Sequence, residues 1–278
     1  MDVRHPRSSD LAALSLGAAD RAAPTSFSND AVSAALLSAV AGYVDTAGFL
    51  ALYGLFTAHV TGDLVTAGAI VAERLRFGAS ARLAMIPTFM ASVAATALFA
   101  RAIRRRGNAP LVALLALMTL ALATFCATGV ALRPFAKGPD EWSVMLIGAT
   151  GVIAMGVQNT LMRDALSTLS PTTIMTGNLT QFTIDLVEIL LPMGGGDGGE
   201  GDLQKRTRVR TEVTARLVKF GLPLGGFVLG AALGARLTSS FGLWSIALPT
   251  FIVGGLTVVA WRRSRMKTTV RTVAVPNT

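Results

Sequence analysis

The chain of 278 residues is 52% hydrophobic and 15% charged, and its mean hydropathy is +0.56. Soluble domains carry about 25% charged residues, and the apolar residues here form long blocks, which excludes an ordinary soluble enzyme, a nucleic-acid-binding domain and a barrel of alternating strands. The formal charge of +9 fits the Lys and Arg that collect in cytoplasmic loops of membrane proteins. The composition predicts an all-α polytopic membrane protein.

Eight apolar segments follow a polar N-terminal stretch, and most of them are long enough to cross a bilayer as helices. We expect residues 1–30 to form a mobile cytoplasmic tail, because they lack the apolar core of a signal peptide. A Gly-rich, basic loop at 193–213 is expected to be flexible and solvated, and residues 263–278 to form a C-terminal cytoplasmic tail. The segments cover 33–53, 57–73, 82–102, 110–132, 142–162, 173–192, 215–235 and 241–261.

An internal duplication is indicated by three short motifs that recur in the same order. It divides the chain into a first membrane repeat at 31–133 and a second membrane repeat at 141–262. The extra length of the second repeat is absorbed by its Gly-rich loop. The matched pairs are 42–46 with 156–160, 60–64 with 175–179, and 81–83 with 215–217.

The loop charges place both termini in the cytoplasm but leave the number of membrane crossings open between six and eight. If all eight segments span, the basic loops of the two repeats lie on the same side and the repeats are parallel, which is the arrangement that we favour. If the second and sixth segments are re-entrant, six helices span and the halves are inverted. The basic cluster at 101–106 then moves to the cytoplasmic side, and the overall excess of Lys and Arg there is unchanged.

Small residues recur every fourth position in the third and seventh segments. Such rows let membrane helices approach each other closely. We therefore expect these two segments to be tightly packed, as an architectural feature. The rows are Gly226, Gly230 and Gly234 in the seventh segment and Ser92, Thr96 and Ala100 in the third.

Three motifs, taken in order and with their spacing, resemble a known family. They read Ala-Gly-Tyr-Val-Asp at 41–45, His-Val-Thr-Gly-Asp-Leu at 59–64 and Thr-Gly-Asn-Leu at 176–179. The chain is similar in these motifs to the bacterial YoaK-like integral membrane proteins, classed as domain of unknown function 1275. The resemblance covers most of the chain after the tail and implies a multi-pass protein of the bacterial inner membrane. It implies no activity, substrate or cofactor.

Asp45 lies in the middle of the first apolar segment, and the repeat places Asn159 at the equivalent position. A charged side chain at the centre of a bilayer costs at least about 2.5–3.5 kcal/mol, so Asp45 must face protein or water. It is a candidate for binding a solute or an ion. A structural hydrogen bond between helices is the alternative, since Asn159 does not titrate.

Polar residues form a stripe on the second and sixth segments. His59 and Asp63 are four residues apart in the second segment, where they could form a hydrogen-bonded pair that passes a proton. Asn178, Gln181 and Asp185 are spaced by three and four in the sixth segment. A helix with one continuous polar face in a membrane lines a cavity or a polar seam, so we expect a solute or ion path at the interface of the repeats.

A Thr-Gly pair directly precedes Asp63 and Asn178, as Thr61-Gly62 and Thr176-Gly177. Glycine at this point can loosen a membrane helix and expose backbone groups, and transporters often bind substrate at such interrupted helices. Close helix crossing is the other interpretation of these two glycines.

These features favour a transporter or channel for a small polar or ionic solute. The alternatives are a membrane-embedded enzyme that uses His59 and Asp63 as general base and orienter, and a non-catalytic membrane assembly protein. We assign no catalytic residue, metal site or cofactor, and an enzyme is the less favoured class. The expected partners are the lipid bilayer and an unidentified small solute or ion, without nucleic acid. Association into a homo-oligomer stays open.

Overall fold

A computed structural model of the chain describes residues 30–73, 78–132, 138–191 and 200–273, without the side chains of 30, 200–203, 205 and 267–273. The N-terminal tail before residue 30, residues 192–199 of the Gly-rich loop and the last residues of the C-terminal tail lie outside these ranges. Within them the regular structure is helical, with no strand. The helices are α1 (Asp30–Ala51), α2 (Val60–Ala72), α3 (Ala79–Arg105), α4 (Leu111–Leu132), α5 (Trp142–Asp164), α6 (Met175–Leu190), α7 (Glu200–Phe241), a 3-10 turn (Gly242–Ile246) and α8 (Ala247–Val273).

Five stretches of the described residues are long and apolar enough to cross a membrane, which confirms the predicted class of an all-helical membrane protein. The last stretch is α7 and α8 joined by the 3-10 turn. Helices α2 and α6, with 13 and 16 residues, are shorter. At 1.5 Å per residue, each is shorter than the hydrocarbon core of about 30 Å. The stretches are Ala31–Ala51, Ala79–Arg105, Leu111–Leu132, Trp142–Asp164 and Arg206–Met266.

Helices α1 and α7 run parallel in close contact along the glycine row of α7. A Cβ atom on each of these glycines would press against a backbone carbonyl oxygen of α1. Backbone-to-backbone packing of this kind is possible only where one helix has no side chain. The order of the contacts along both helices fixes their direction. The facing pairs are Gly226 with Ala35, Gly230 with Ala39, and Gly234 with Tyr43.

Helices α3 and α5 also run parallel, because their first turns meet at one end and their last turns at the other. In the middle, the Ser92 hydroxyl donates to the Ile153 carbonyl at 2.9 Å. At the last turns, Arg104 and Asp164 form an ion pair at 2.7 Å. At the first turns, Asp140 caps α3 from the connection before α5.

The Asp140 cap consists of three hydrogen bonds. One carboxylate oxygen accepts from the Ser80 hydroxyl at 2.6 Å and the Ala81 N–H at 3.0 Å, and the other accepts from the Gly78 N–H at 2.5 Å. Burial raises the pKa of Asp140, but these hydrogen bonds outweigh it, so its pKa lies below the ordinary value. The carboxylate therefore stays ionised at the N-terminal end of α3, where a negative charge is favourable.

Helices α1 and α5 cross in the opposite sense at the centre of the molecule. Near the start of α1, the Gln158 amide donates to the Leu37 carbonyl at 2.7 Å. Near the end of α1, Gly48 and Gly151 both lie against the methyl group of Thr57. Residues early in α1 thus lie near residues late in α5, and residues late in α1 lie near residues early in α5, so the two helices are antiparallel.

Helices α4 and α8 are likewise antiparallel. The hydroxyl groups of Thr119 and Thr257 lie 3.2 Å apart, and Gly129 packs against Leu243 in the turn before α8. The Tyr43 hydroxyl on α1 donates to the Ser245 carbonyl of the same turn at 2.9 Å. Because α4 packs against α5, α8 and this turn, several of its large side chains are fully buried in the apolar core. They are Leu114, Leu115, Met118, Leu122 and Phe125.

Each short helix runs parallel to the long helix before it. Helix α2 is antiparallel to α3, because Asp63 lies near Arg82 and Ile70 lies against Gly78. Since α3 is antiparallel to α1, helices α1 and α2 point the same way although only residues 52–59 join them. In the second half, Phe182 lies against Gly221 and Glu188 pairs with Arg216, so α6 is antiparallel to α7 and parallel to α5. Both connections must therefore return into the protein before the short helix begins.

The glycine contact between α1 and α7 predicts a strong effect of one methyl group. Gly226→Ala should lower the free energy of unfolding by about 1–3 kcal/mol, because the new Cβ overlaps the Ala35 carbonyl. The neighbouring Gly225 faces open space on the same helix, so Gly225→Ala should change it by less than about 0.5 kcal/mol. Thermal midpoints of the two variants in detergent give the comparison. Equal midpoints would contradict the backbone contact.

Candidate functional site

The carboxylate of Asp45 holds the returning connection 52–59 inside the protein. Its Oδ1 accepts hydrogen bonds from the N–H groups of Thr57 at 2.8 Å and Ala58 at 2.6 Å, and its Oδ2 lies 2.6 Å from Nδ1 of His59. These N–H groups precede the first turn of α2, where the helix dipole favours a negative charge. Asp45 is buried, and its charge is compensated by backbone donors and by the imidazole ring.

His59 is the residue before α2, and its partner is Asp45 rather than Asp63. The predicted four-residue spacing required His59 to lie on the helix, but the helix begins only at Val60. The imidazole ring also makes an edge contact with Phe227 of α7, at 5.6 Å between ring centres. Its side chain keeps 35% of its surface exposed, whereas that of Asp45 keeps 7%.

Asp63 and Arg82 form a buried charged pair between α2 and α3. Oδ1 of Asp63 accepts from the Phe56 N–H at 3.1 Å and lies 4.0 Å from Nε of Arg82. The side chains of Asp63 and Arg82 are 0% and 8% exposed. Oδ2 of Asp63 has no hydrogen-bond partner among the described residues.

Arg82 also closes the connection that follows α1. Its guanidinium group donates to the carbonyl oxygens of Tyr53 at 2.7 Å and Gly78 at 2.9 Å. Arg82 was not among the site residues predicted from the sequence. The repeat carried the signal that could have found it, because the matching motifs at 81–83 and 215–217 both contain arginine.

In the second half, neutral residues hold the connection 165–174 in an equivalent way. Asn159 accepts a hydrogen bond from the Thr173 hydroxyl at 2.6 Å. Asn178 accepts from the Ser170 hydroxyl at 2.8 Å and donates to the Pro171 carbonyl at 2.6 Å. The separation of 14 residues between Asn159 and Thr173 is also that between Asp45 and His59.

A second charged cluster joins α6 to α7. Oδ1 of Asp185 accepts from Nε of Arg216 and from the Gln181 amide, both at 3.0 Å. Arg216 also pairs with Glu188 at 3.0 Å. Asp185 is fully buried and its Oδ2 lacks a partner among the described residues, whereas 43% of the Arg216 side chain is exposed.

The two connections meet the crossing of α1 and α5 from opposite ends. Thr57 packs between α1 and α5 at Gly151, and Thr172 accepts a hydrogen bond from the Gln158 amide at 3.0 Å. Gly151 and Gln158 are seven residues apart on α5, which corresponds to about 10 Å. The Gln158 Oε1 atom is buried without a partner among the described residues. We call this region, defined by Thr57, Gln158 and Thr172, the central crossing.

The Thr-Gly pairs do not interrupt their helices. Helix α2 runs through Gly62 and helix α6 through Gly177, and the irregular backbone lies before them, in 52–59 and 165–174. Thr61 and Thr176 are exposed, away from the central crossing. A Cβ atom added to Gly62 would lie 3.2 Å from the Phe56 ring, so this glycine allows close packing of the ring against α2.

The site residues therefore fall into separate groups. Asp45 meets His59, Asp63 meets Arg82, and Gln181 meets Asp185, while Asn159 and Asn178 contact the connection 165–174. No group of three His, Cys, Asp or Glu side chains suited to a metal ion occurs within the described ranges.

The contacts of Asp45 predict a larger stabilising role than those of its repeat partner. Asp45→Ala should lower the free energy of unfolding by about 3 kcal/mol or more, because it leaves buried N–H groups without an acceptor. Asn159→Ala removes one hydrogen bond to the connection and should cost about 1 kcal/mol. Thermal unfolding of both variants in detergent checks the difference. If both lost the same stability, Asp45 would not be the anchor of 52–59.

Comparison with known proteins gives one match. The model of a family described as "Protein of unknown function (DUF1275)" matches residues 33–259, which confirms the resemblance to domain of unknown function 1275. Neither the curated proteins nor the solved structures gave a match to this chain. Since the family model covers most of the sequence, the chain belongs to the DUF1275 family of proteins.

Proposed function

We propose that the protein is a transporter for a small polar or ionic solute, built from two inverted repeats around the central crossing. The observation that carries the proposal is the pair of short helices, α2 and α6, that each follow a connection returning into the protein. Irregular backbone at membrane depth is tolerated where it is buried in protein or lines a cavity. In transporters, such broken segments at equivalent places of two repeats form the substrate site.

The helix directions favour six crossings over eight. With α2 and α6 re-entrant, the spanning helices are α1, α3, α4, α5, α7 and α8, and α1 is antiparallel to its repeat partner α5. Inverted halves follow from this, whereas the parallel repeats that we favoured from the loop charges require α1 and α5 to point the same way. The loop charges do not distinguish the two arrangements, because six spans move the arginines at 101–106 into the cytoplasm and the basic residues at 74–82 and 133–137 out of it. We propose a multi-pass protein of the bacterial inner membrane with cytoplasmic termini.

The chemistry of the central crossing supports a polar solute. The N-terminal ends of α2 and α6 approach it from opposite sides, and both carry partial positive charge. Asp45 occupies the end of α2, whereas the neutral Asn159 is the equivalent residue near α6. A solute at the crossing would meet the free Gln158 carbonyl oxygen and the two threonine positions.

The charged pairs on either side of the crossing are suited to act as gates. Asp63–Arg82 joins α2 to α3 near the end of α1, and Asp185–Arg216 joins α6 to α7 near the end of α5. Both aspartates are fully buried, whereas Arg82 is 8% exposed and Arg216 is 43% exposed, so the second gate is more open to its surroundings on its arginine side. Alternating access requires the two gates to open in turn, and inverted repeats supply the symmetry for it.

One observation favours an enzyme as second candidate. His59 is partly exposed and lies 2.6 Å from the Asp45 carboxylate, the arrangement of a general base and its orienting group. In this reading the pair is His59 with Asp45, and Asp63 is not required. His59→Gln would then abolish product formation, while Asp63→Asn would leave it intact.

Cysteine labelling can distinguish six crossings from eight. Asn108, between α3 and α4, and Ser239, near the end of α7, are both exposed. Six crossings place them on opposite sides of the membrane, and eight place them on the same side. In a Cys126→Ala background, we expect a membrane-impermeant maleimide to label only one of Asn108→Cys and Ser239→Cys in intact cells, and both after permeabilisation. Labelling of both in intact cells would contradict inverted repeats.

Transport of the solute should depend on the first gate. Thermal midpoints of the detergent-solubilised protein, scanned over small ions, amino acids, sugars and metabolites, should rise with one class of solute, because a ligand of the folded state stabilises it. Asp63→Asn should lose transport of that solute in proteoliposomes. The matched control is Asp164→Asn, which removes a carboxylate from an ion pair at the ends of α3 and α5.

Asp63→Asn also leaves Arg82 buried without its counter-ion, which destabilises a folded protein. The double variant Asp63→Asn with Arg82→Gln removes both charges and separates loss of fold from loss of transport. A folded double variant that transports at the wild-type rate would disprove the gate. If no solute shifts the midpoint and none is transported, the transporter proposal fails.

A further inference from the structure

A basic groove lies at the last turns of α3, away from the central crossing. It has a volume of about 320 Å³ and is lined by side chains of α3 and of the residue that directly follows it. Its position follows the apolar part of the span, because α3 carries no charged residue from Leu83 to Ala100. The groove therefore lies where the hydrocarbon region ends and lipid headgroups begin. The lining residues are Leu98, Arg101, Ala102, Arg105 and Arg106.

The arginines of this groove differ from their neighbour Arg104 in their partners. Arg104 faces α5 and is ion-paired with Asp164. Among the described residues, no acidic side chain pairs with Arg101, Arg105 or Arg106, and all three are exposed. Three guanidinium groups within two helical turns repel one another unless an anion lies between them.

An apolar surface continues directly from the guanidinium groups. Leu98, Arg101 and Arg105 recur at spacings of three and four, so they lie on one face of α3. Leu98 is 64% exposed on that face. From Leu98 to Arg105 the helix rises by about 10 Å, so the face presents an apolar lower part and a cationic upper part. A free phosphate ion would use only the upper part.

We propose that this groove binds an anionic phospholipid, with the phosphate held by Arg101, Arg105 and Arg106 and an acyl chain lying on Leu98. The guanidinium group is planar and matches the geometry of a phosphate by two parallel hydrogen bonds. Basic clusters beside membrane helices are known to recognise anionic headgroups. The proposal rests on the membrane location of α3 and not on the transport function.

The test compares lipids in native mass spectrometry of the full chain in detergent. Phosphatidylglycerol should bind more tightly than phosphatidylcholine. In the double variant Arg101→Gln, Arg105→Gln, binding of phosphatidylglycerol should weaken roughly thirtyfold, since each arginine near an anionic headgroup contributes about a fivefold factor. The matched control is Arg208→Gln, Arg210→Gln, which removes two positive charges from exposed positions of α7 and should keep the wild-type affinity.

Three results would overturn the proposal. The first is equal binding of the two lipids by the wild-type protein. The second is an equal loss in the control variant, which would assign the effect to net charge. The third is displacement of phosphatidylglycerol by inorganic phosphate at equal concentration, which would indicate a free-phosphate site. If the double variant fails to fold, Arg105→Gln alone should weaken phosphatidylglycerol binding about fivefold, and an unchanged affinity would reject the groove.

Discussion

The fold around the central crossing depends on the burial of the Asp45 carboxylate. A connection of eight residues that returns into a membrane protein exposes N–H groups with no water to accept their hydrogen bonds. Asp45 supplies the acceptor for the N–H groups of Thr57 and Ala58. It lies at the N-terminal end of α2, which carries partial positive charge. The anion stabilises the irregular backbone, and the backbone dipoles and the His59 ring stabilise the anion. Each is therefore stabilised by the other inside the protein.

The limits of four helices could be predicted from the sequence, and the helix directions could not. The start of α7 at Glu200 lies inside the predicted loop 193–213, and the end of α8 at Val273 lies inside the predicted C-terminal tail, so these two limits were predicted wrongly. Apolar length alone located α1, α3, α4 and α5 within a few residues, because the bilayer requires about 20 such residues per crossing. Whether α2 spans or returns depends on contacts with α3 that involve Arg82 and Gly78, and these are not local in sequence. The partner of His59 was missed for a related reason. Helical spacing was applied to a residue that precedes the helix.

The two halves differ where their sequences differ in charge. Asp45 in the first half corresponds to Asn159 in the second, so the first connection is held by a carboxyl group and the second by an amide. The arginine of the first half is buried between α2 and α3, and the arginine of the second half is partly open to its surroundings. Under the proposed transport function, these differences would make the two sides of the protein unequal, because a solute would meet different electrostatics from each side.

The length of α7 gives the molecule an uneven outline. Its 42 residues extend for about 63 Å, roughly twice the thickness of the hydrocarbon core. The part before Arg216 carries four basic and three acidic residues, including an exposed pair of Arg208 with Glu212, so it is hydrated and continues beyond the headgroups. One face of the membrane therefore bears a charged helical projection that is an extension of the helix packed on α1. Because α7 is one continuous helix, a force or a binding event at the free end of this extension would be transmitted along it to the α1–α7 contact.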